Sequence, residues 1–184
     1  MGYSMITGMV GSVAQPVFVQ ISDDPARQVR AFRKMLRFTA FISFPCMFGL
    51  SLVAPELITI AITDKWLESA HILQILAIGG AFIPIINIYS NLLISRGKSS
   101  VYMWNMIVLG ILQLCIILLM RPFGLFYMVW VYVILNICWL VVWHYFVRKE
   151  ICIRLFDAFR DIFTYAIISA IIMLGVYHLT SGIL

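Results

Sequence analysis

The stretch PVFVQISDDPARQVRAFRKMLRFTAFISFP, residues 16–45, joins two long apolar segments through a short, strongly basic one. At about 100° per residue, Val29, Phe32, Met35 and Leu36 fall within one third of a helical circumference. Arg27, Arg30, Arg33, Lys34 and Arg37 gather on the opposite side. Asp24 followed by Pro25 predicts where this helix starts: an acidic N-cap, then proline at the first helical position, where its missing N–H is not needed. An apolar stripe backed by guanidinium groups predicts a helix lying along a membrane surface, among anionic head groups. A soluble surface helix would carry the same periodicity. The apolar segments on either side decide for the membrane.

Of the 184 residues, 63% are hydrophobic and 11% are charged, and mean hydropathy is +1.02. A soluble domain of this size lacks the interior to hide so much apolar surface, whereas lipid solvates it. Residues 1–22, 38–55, 69–95, 99–120, 122–147 and 162–184 contain no Lys, Arg, Asp or Glu. A spanning helix needs about 20 apolar residues, because about 30 Å of hydrocarbon is crossed at 1.5 Å per residue. Six spans are therefore expected, near residues 3–22, 38–62, 71–93, 101–120, 125–147 and 162–180, the second tolerating Glu56. The predicted fold class is all-α, a polytopic membrane protein with short amphipathic cytoplasmic connectors.

A net charge of +5 would point to nucleic acid in a soluble chain; here the placement of the charges matters more than their sum. The connectors at 23–37, 94–100 and 148–161 hold eleven Lys and Arg, while the opposite side holds only Lys65 and Arg121. The positive-inside rule then puts the basic connectors in the cytoplasm and both chain ends outside, in a multi-pass membrane protein. No nucleic-acid partner is expected; anionic membrane lipids are. Cys46, Cys115, Cys138 and Cys152 form no CxxC pair and read as reduced, space-filling thiols. The first segment lacks a basic leader and an A-x-A site, so it reads as a span rather than a cleavable signal. With almost nothing before that span and a blunt HLTSGIL at the end, the chain reads as one transmembrane domain, residues 1–184, from a larger protein.

QPVFVQISDD (15–24) runs into the basic helix, Phe44–Pro45 stands early in the next span, and APELITIAITDKWLESAHILQILAIGG (54–80) comes after it. Over Pro16 to about Lys98 this pattern resembles the C-terminal half of bacterial polysaccharide flippases of the MATE/MOP superfamily, the Wzx-like lipopolysaccharide and O-antigen exporters. The family usually has a glycine near the position of Asp64, where this chain reads Thr63-Asp64-Lys65. The resemblance implies a lobe of a transporter with 12 or 14 helices around a central cavity. A lipid-linked oligosaccharide would be its substrate. A missing N-terminal lobe or a second copy would complete it, since six helices hardly enclose the roughly 300–1,000 Å³ of a ligand pocket.

Glu56 is the formally charged residue within a span, and an acid in hydrocarbon is costly enough to be a functional candidate. It reads either as an ion-coupling group or as an interfacial acid reaching water near Asp64. Asn87, Asn91, Asn105 and Gln113 offer paired donors and acceptors that suit sugar hydroxyls. Asn87 and Asn91, four apart, share a helix face; Gln74 falls out of register with them. The other reading of these amides is interhelical hydrogen bonding. Gly79, Gly80 and Pro84 mark either a hinge or broken helix of the kind found at transporter binding sites, or a fixed packing kink. The cytoplasmic arginines, Arg96 above all because it ends the third span, either clamp a pyrophosphate or set topology and grip lipid.

His71, His144 and His178 lie on different spans, and there is no HExxH, P-loop, GxSxG or metal-ligand cluster. No enzyme activity, cofactor or metal is expected. The leading expectation is a module that moves a lipid-linked oligosaccharide across the plasma membrane for surface polysaccharide, by alternating access. A cation-coupled multidrug exporter of the same superfamily and a membrane enzyme of polysaccharide assembly are the alternatives.

Overall fold

A computed structural model describes residues 18–19, 24–61 and 67–181. The expected first span, 3–22, lies outside the described residues except for Phe18 and Val19, and so does Lys65. The described chain forms six helices: α1 (Pro25–Ala61), α2 (Leu67–Gly80), α3 (Ile83–Ser95), α4 (Ser99–Met120), α5 (Leu125–Ile151) and α6 (Leu155–Ser181). A 3₁₀ turn at Arg121–Phe123 joins α4 to α5, and no strand occurs among the described residues. Five stretches are long and apolar enough to cross a bilayer: Ala26–Ile60, Ser69–Ser95, Ser99–Phe123, Leu125–Ile151 and Leu155–Gly175. The chain is an all-α, multi-pass membrane protein, and the spans expected after the first correspond to these five.

The helix start reads as expected. Asp24 Oδ1 accepts the Arg27 backbone N–H at 3.0 Å, and Pro25 opens α1. The connectors differ from expectation. Residues 25–37 do not form a separate surface helix; they are the first turns of α1, whose 37 residues run unbroken for about 55 Å. Likewise α5 continues to Ile151 and α6 resumes at Leu155, so of the connector expected at 148–161 only residues 152–154 lie outside a helix. The reason is that the apolar stripe finds protein rather than lipid. Phe32 and Leu36 are fully buried, and Val29 and Met35 pack against the same core.

α1 sits between α6 on one side and α2 and α3 on the other; α5 covers α2 and α3, and α4 lies outermost. α1 and α6 run parallel, with Arg33 and Arg37 beside Asp161 and the Phe41 ring 6.0 Å from Tyr165. α1 and α3 run antiparallel: Phe44 meets Phe82 at 5.2 Å and Phe32 meets Tyr89 at 5.0 Å, both edge to face. Between membrane helices lipid is as apolar as leucine, so close packing and hydrogen bonds hold such a bundle together. The packed core gathers Phe32, Leu36, Tyr89, Leu92, Trp143 and Val147 towards the end where the basic residues lie. Tyr89 Oη and His144 Nδ1 meet there at 3.3 Å, linking α3 to α5.

The turn after α3 closes on Gly97, whose φ of 72° is the left-handed conformation glycine adopts without strain. Gly97 N–H donates to Ile94 O and Lys98 N–H to Leu93 O, both at 2.9 Å, satisfying carbonyls at the helix end. All four cysteines are free, but their side chains are exposed instead of filling the core, three on helix surfaces and Cys152 just past the end of α5.

Candidate functional site

The span expected as one helix at 71–93 is broken. α2 ends on Gly79 and Gly80, Ala81 and Phe82 form a turn, and Pro84 stands in the first turn of α3. Proline lacks an N–H and its ring crowds the preceding turn, so the hydrogen-bond ladder must change at this point. Phe82 N–H reaches Gly79 O at 3.1 Å, and Ala81 O accepts the Ser43 hydroxyl of α1 at 2.8 Å. A second proline, Pro55 within α1, removes the N–H that would serve Ser51 O. Gln74 Nε2 of α2 donates to that carbonyl at 3.1 Å, and the Ser51 hydroxyl answers Gln74 O at 3.3 Å. Side chains of neighbouring helices thus serve both irregular stretches, as backbone in hydrocarbon requires.

The two glycines differ. A Cβ on Gly79 would lie 3.0 Å from both γ-carbons of Val133, so the α2 backbone seats directly against α5. On Gly80 it would meet only the Met47 side chain, with the sulfur at 3.6 Å. Beside the break, α1, α2 and α5 enclose a half-open cavity of about 310 Å³. Its walls include Met47, Leu50, Ala77, Gly80 and Ile83, with Asn136 as the amide on the lining.

The amide candidates are not brought together. Asn87 and Asn91 lie on α3, half-buried, one turn apart. Asn87 Nδ2 is shut off from solvent and has no hydrogen-bond partner among the described residues. Asn105, buried on α4, donates to Val101 O of its own helix at 2.9 Å. Gln113 Nε2 donates to Asn136 Oδ1 at 3.2 Å, tying α4 to α5, and Asn136 Nδ2 donates to Tyr132 O at 2.8 Å. Gln74 points away from Asn87 and Asn91, towards α1.

Charged candidates occupy the two ends of α1. Glu56 is exposed and lines an open cleft of about 280 Å³ with Pro55, Thr59 and Ile60, near the C-terminal end of the helix. At the other end, Arg96 Nη2 donates to Gln28 Oε1. Gln28 is itself fully buried and reaches Phe18 O at 3.4 Å. Arg96 Nε is buried without a partner among the described residues.

The tightest charge cluster includes a residue that the sequence alone did not single out. Asp161, only 6% exposed, receives Arg33 Nε at 2.7 Å and Arg33 Nη2 at 3.2 Å on its two oxygens, and Arg37 Nε at 2.9 Å. Lys98 lies 3.8 Å from Glu150, joining the turn after α3 to the end of α5. All three basic segments therefore meet partners from one another. The signal for Asp161 is an acid at the end of a mixed-charge segment, to be set against two arginines spaced four apart on one helix face.

Residues 1–71 match the family described as "Polysaccharide biosynthesis protein". Across 90% of its length the chain is 27% identical to the teichuronic acid biosynthesis protein TuaB of Bacillus subtilis, covering 34% of that protein. It is 32% identical over 52% of its length to an uncharacterized membrane protein of the cps region of Klebsiella pneumoniae, covering 20% of it. It is 27% identical over 49% of its length to the lipopolysaccharide biosynthesis protein WzxC of Escherichia coli, covering 18% of it. The chain thus spans about a third or less of these relatives. No solved structure matches it. The resemblance to Wzx-like proteins drawn from the sequence is borne out, and the chain is related to membrane proteins of polysaccharide biosynthesis.

Proposed function

We propose that this chain is a module of a transporter that carries a lipid-linked oligosaccharide across the bacterial inner membrane for surface polysaccharide assembly. The break between α2 and α3 carries the reading. A span interrupted by Gly79, Gly80 and Pro84 has two arms joined by a short turn, and neighbouring side chains cradle the irregular backbone. Interrupted helices of this kind mark where transporters bind and rock. The relatives named for teichuronic acid and lipopolysaccharide biosynthesis support the substrate class.

In this reading the basic end of the bundle faces the cytoplasm, where Arg27, Arg30, Arg148 and Arg154 grip anionic lipid and Arg96 is poised for a phosphate. The Asn87 amide, whose Nδ2 has no partner among the described residues, and Asn91 on the next turn take sugar hydroxyls. The remaining wall of the cavity comes from a further lobe or a second copy. The chain catalyses no bond-making step; it shifts between inward and outward states, and a coupling ion acts only by binding one of them more tightly.

The test is the double substitution Asn87→Leu and Asn91→Leu in the full-length transporter. Surface polysaccharide is expected to fall at least tenfold while the protein level in the membrane stays unchanged. Normal export by the double variant would remove these amides from the substrate path.

A further inference from the structure

The face that α1 turns to α6 changes character along its length. Arg33, Arg37, Phe41, Pro45 and Gly49 recur every four residues, and Asp161, Tyr165, Ser169 and Met173 do the same on α6. At the basic end, Asp161 draws Arg33 and Arg37 together, yet one carboxylate balances only one of the two guanidinium groups. Arg37 remains 47% exposed. Arg30, Lys34 and Arg160 stand exposed on the same turns, against Asp157. Among the described residues on these turns, five basic groups face two acids.

Deeper along the same seam the two helices part. Pro45, Phe48, Gly49, Leu52, Ser169 and Ile172 are among the residues that line a half-open cleft of about 220 Å³, almost wholly apolar. A Cβ built on Gly49 meets nothing within 4 Å. Glycine there lowers helix stability by about 1 kcal/mol relative to alanine without serving a packing contact among the described residues. Its effect is to keep the cleft open. Gly49 lies twelve residues beyond Arg37, about 18 Å along the axis, close to half the roughly 30 Å thickness of the hydrocarbon.

We infer that the seam between α1 and α6 is a binding site for an anionic glycerophospholipid, its phosphate on the Arg33–Arg37 pair and one acyl chain in the Gly49 cleft. Two observations independent of each other point to one amphiphile: an arginine pair sharing one carboxylate, and an apolar cleft one leaflet's depth below it on the same pair of helices. The depth fits a lipid of a single leaflet. Phe38 and Phe41, both exposed between the two ends, line the path of the chain. Asp161 is then a positioning residue that holds the guanidinium pair with its free donors outward. This site stands apart from the transport reading, because a chain that moved no glycan would hold the same lipid.

Native mass spectrometry of the purified chain, exchanged into mild detergent with an equimolar mixture of phosphatidylglycerol and phosphatidylethanolamine, tests it. The chain is expected to keep phosphatidylglycerol at least tenfold over phosphatidylethanolamine. Arg33→Gln with Arg37→Gln should bring the two lipids level. Gly49→Leu, which leaves every charge in place and fills the cleft, should lower retention of phosphatidylglycerol at least fivefold, whereas Gly49→Ala should keep most of it. Should the arginine variant fail to fold, Gly49→Leu decides alone. Equal retention of the two lipids by the unaltered chain would overturn the site. So would unaltered retention by Gly49→Leu, or displacement of phosphatidylglycerol by an equal concentration of a polyprenyl phosphate.

Discussion

Asp161 holds together two helices whose sequences are far apart, and its surroundings decide how much that is worth. The carboxylate is nearly buried, Arg33 is 24% exposed and Arg37 47% exposed. Water screens the Arg37 contact, so most of the energy lies in the bidentate bond from Arg33. Asp161→Asn keeps the shape and removes the charge, leaving both guanidinium groups without a counter-ion in a partly desolvated place. The expected cost is about 1.5–3 kcal/mol, the range for a charge-assisted hydrogen bond. A lower thermal unfolding midpoint in detergent would show it; an unchanged midpoint would mean that α1 and α6 are held by their apolar contacts alone. Gln74 makes a comparable case with no charge. Gln74→Leu strands the Ser51 carbonyl that Pro55 frees, and a loss of about 1–3 kcal/mol is expected for an unsatisfied buried acceptor. The same melting experiment reads it, and Gln74→Leu melting at the parent temperature would refute the assigned role.

At the scale of the element, the interrupted α2–α3 span is where substitutions that look alike should part. Gly79→Ala forces a methyl group against two carbons of Val133 at 3.0 Å, so α2 must move off α5, at about 1–3 kcal/mol for an overpacked contact. Gly80→Ala places its methyl at ordinary distance from Met47 and gains helix propensity, so it should be neutral or slightly stabilising. Unfolding midpoints of the two variants measured side by side would check this; equal values would mean that the close approach at Gly79 carries no strain. The interruption is legible in the sequence because the chemistry of proline and paired glycine is local. What satisfies the Ala81 carbonyl at the break is not, because Ser43 sits on α1 and nothing in its own neighbourhood marks it. The connectors escape a sequence reading for a related reason. The periodicity of Val29, Phe32, Met35 and Leu36 states that one face is apolar, but lipid and protein satisfy the same stripe. Only the fold shows that Tyr89 and its neighbours fill that space.

For the molecule as a whole, the segregation of charge says which residues share an end, and the fold agrees. Arg33 and Arg37 meet Asp161, Arg96 meets Gln28, and Lys98 approaches Glu150, so the three basic segments assemble at one end of the bundle. That the same residues pair with one another is hidden in the sequence, where they read as separate connectors exposed to head groups. In the transport reading this end faces the cytoplasm, the side that the eleven-to-two bias of Lys and Arg favours. Single cysteines in place of Arg30, Arg96, Arg154 and Lys65, in a chain whose own cysteines are replaced by serine, give the direct measurement. In intact cells the first three should resist a membrane-impermeant maleimide until the membrane is opened, while the cysteine at position 65 should react at once. The reverse pattern would place the arginine-rich end outside the cell and remove the cytoplasmic loading step from the transport reading. The anionic lipid between α1 and α6 would then belong to the outer leaflet, because its site moves with the helices that build it.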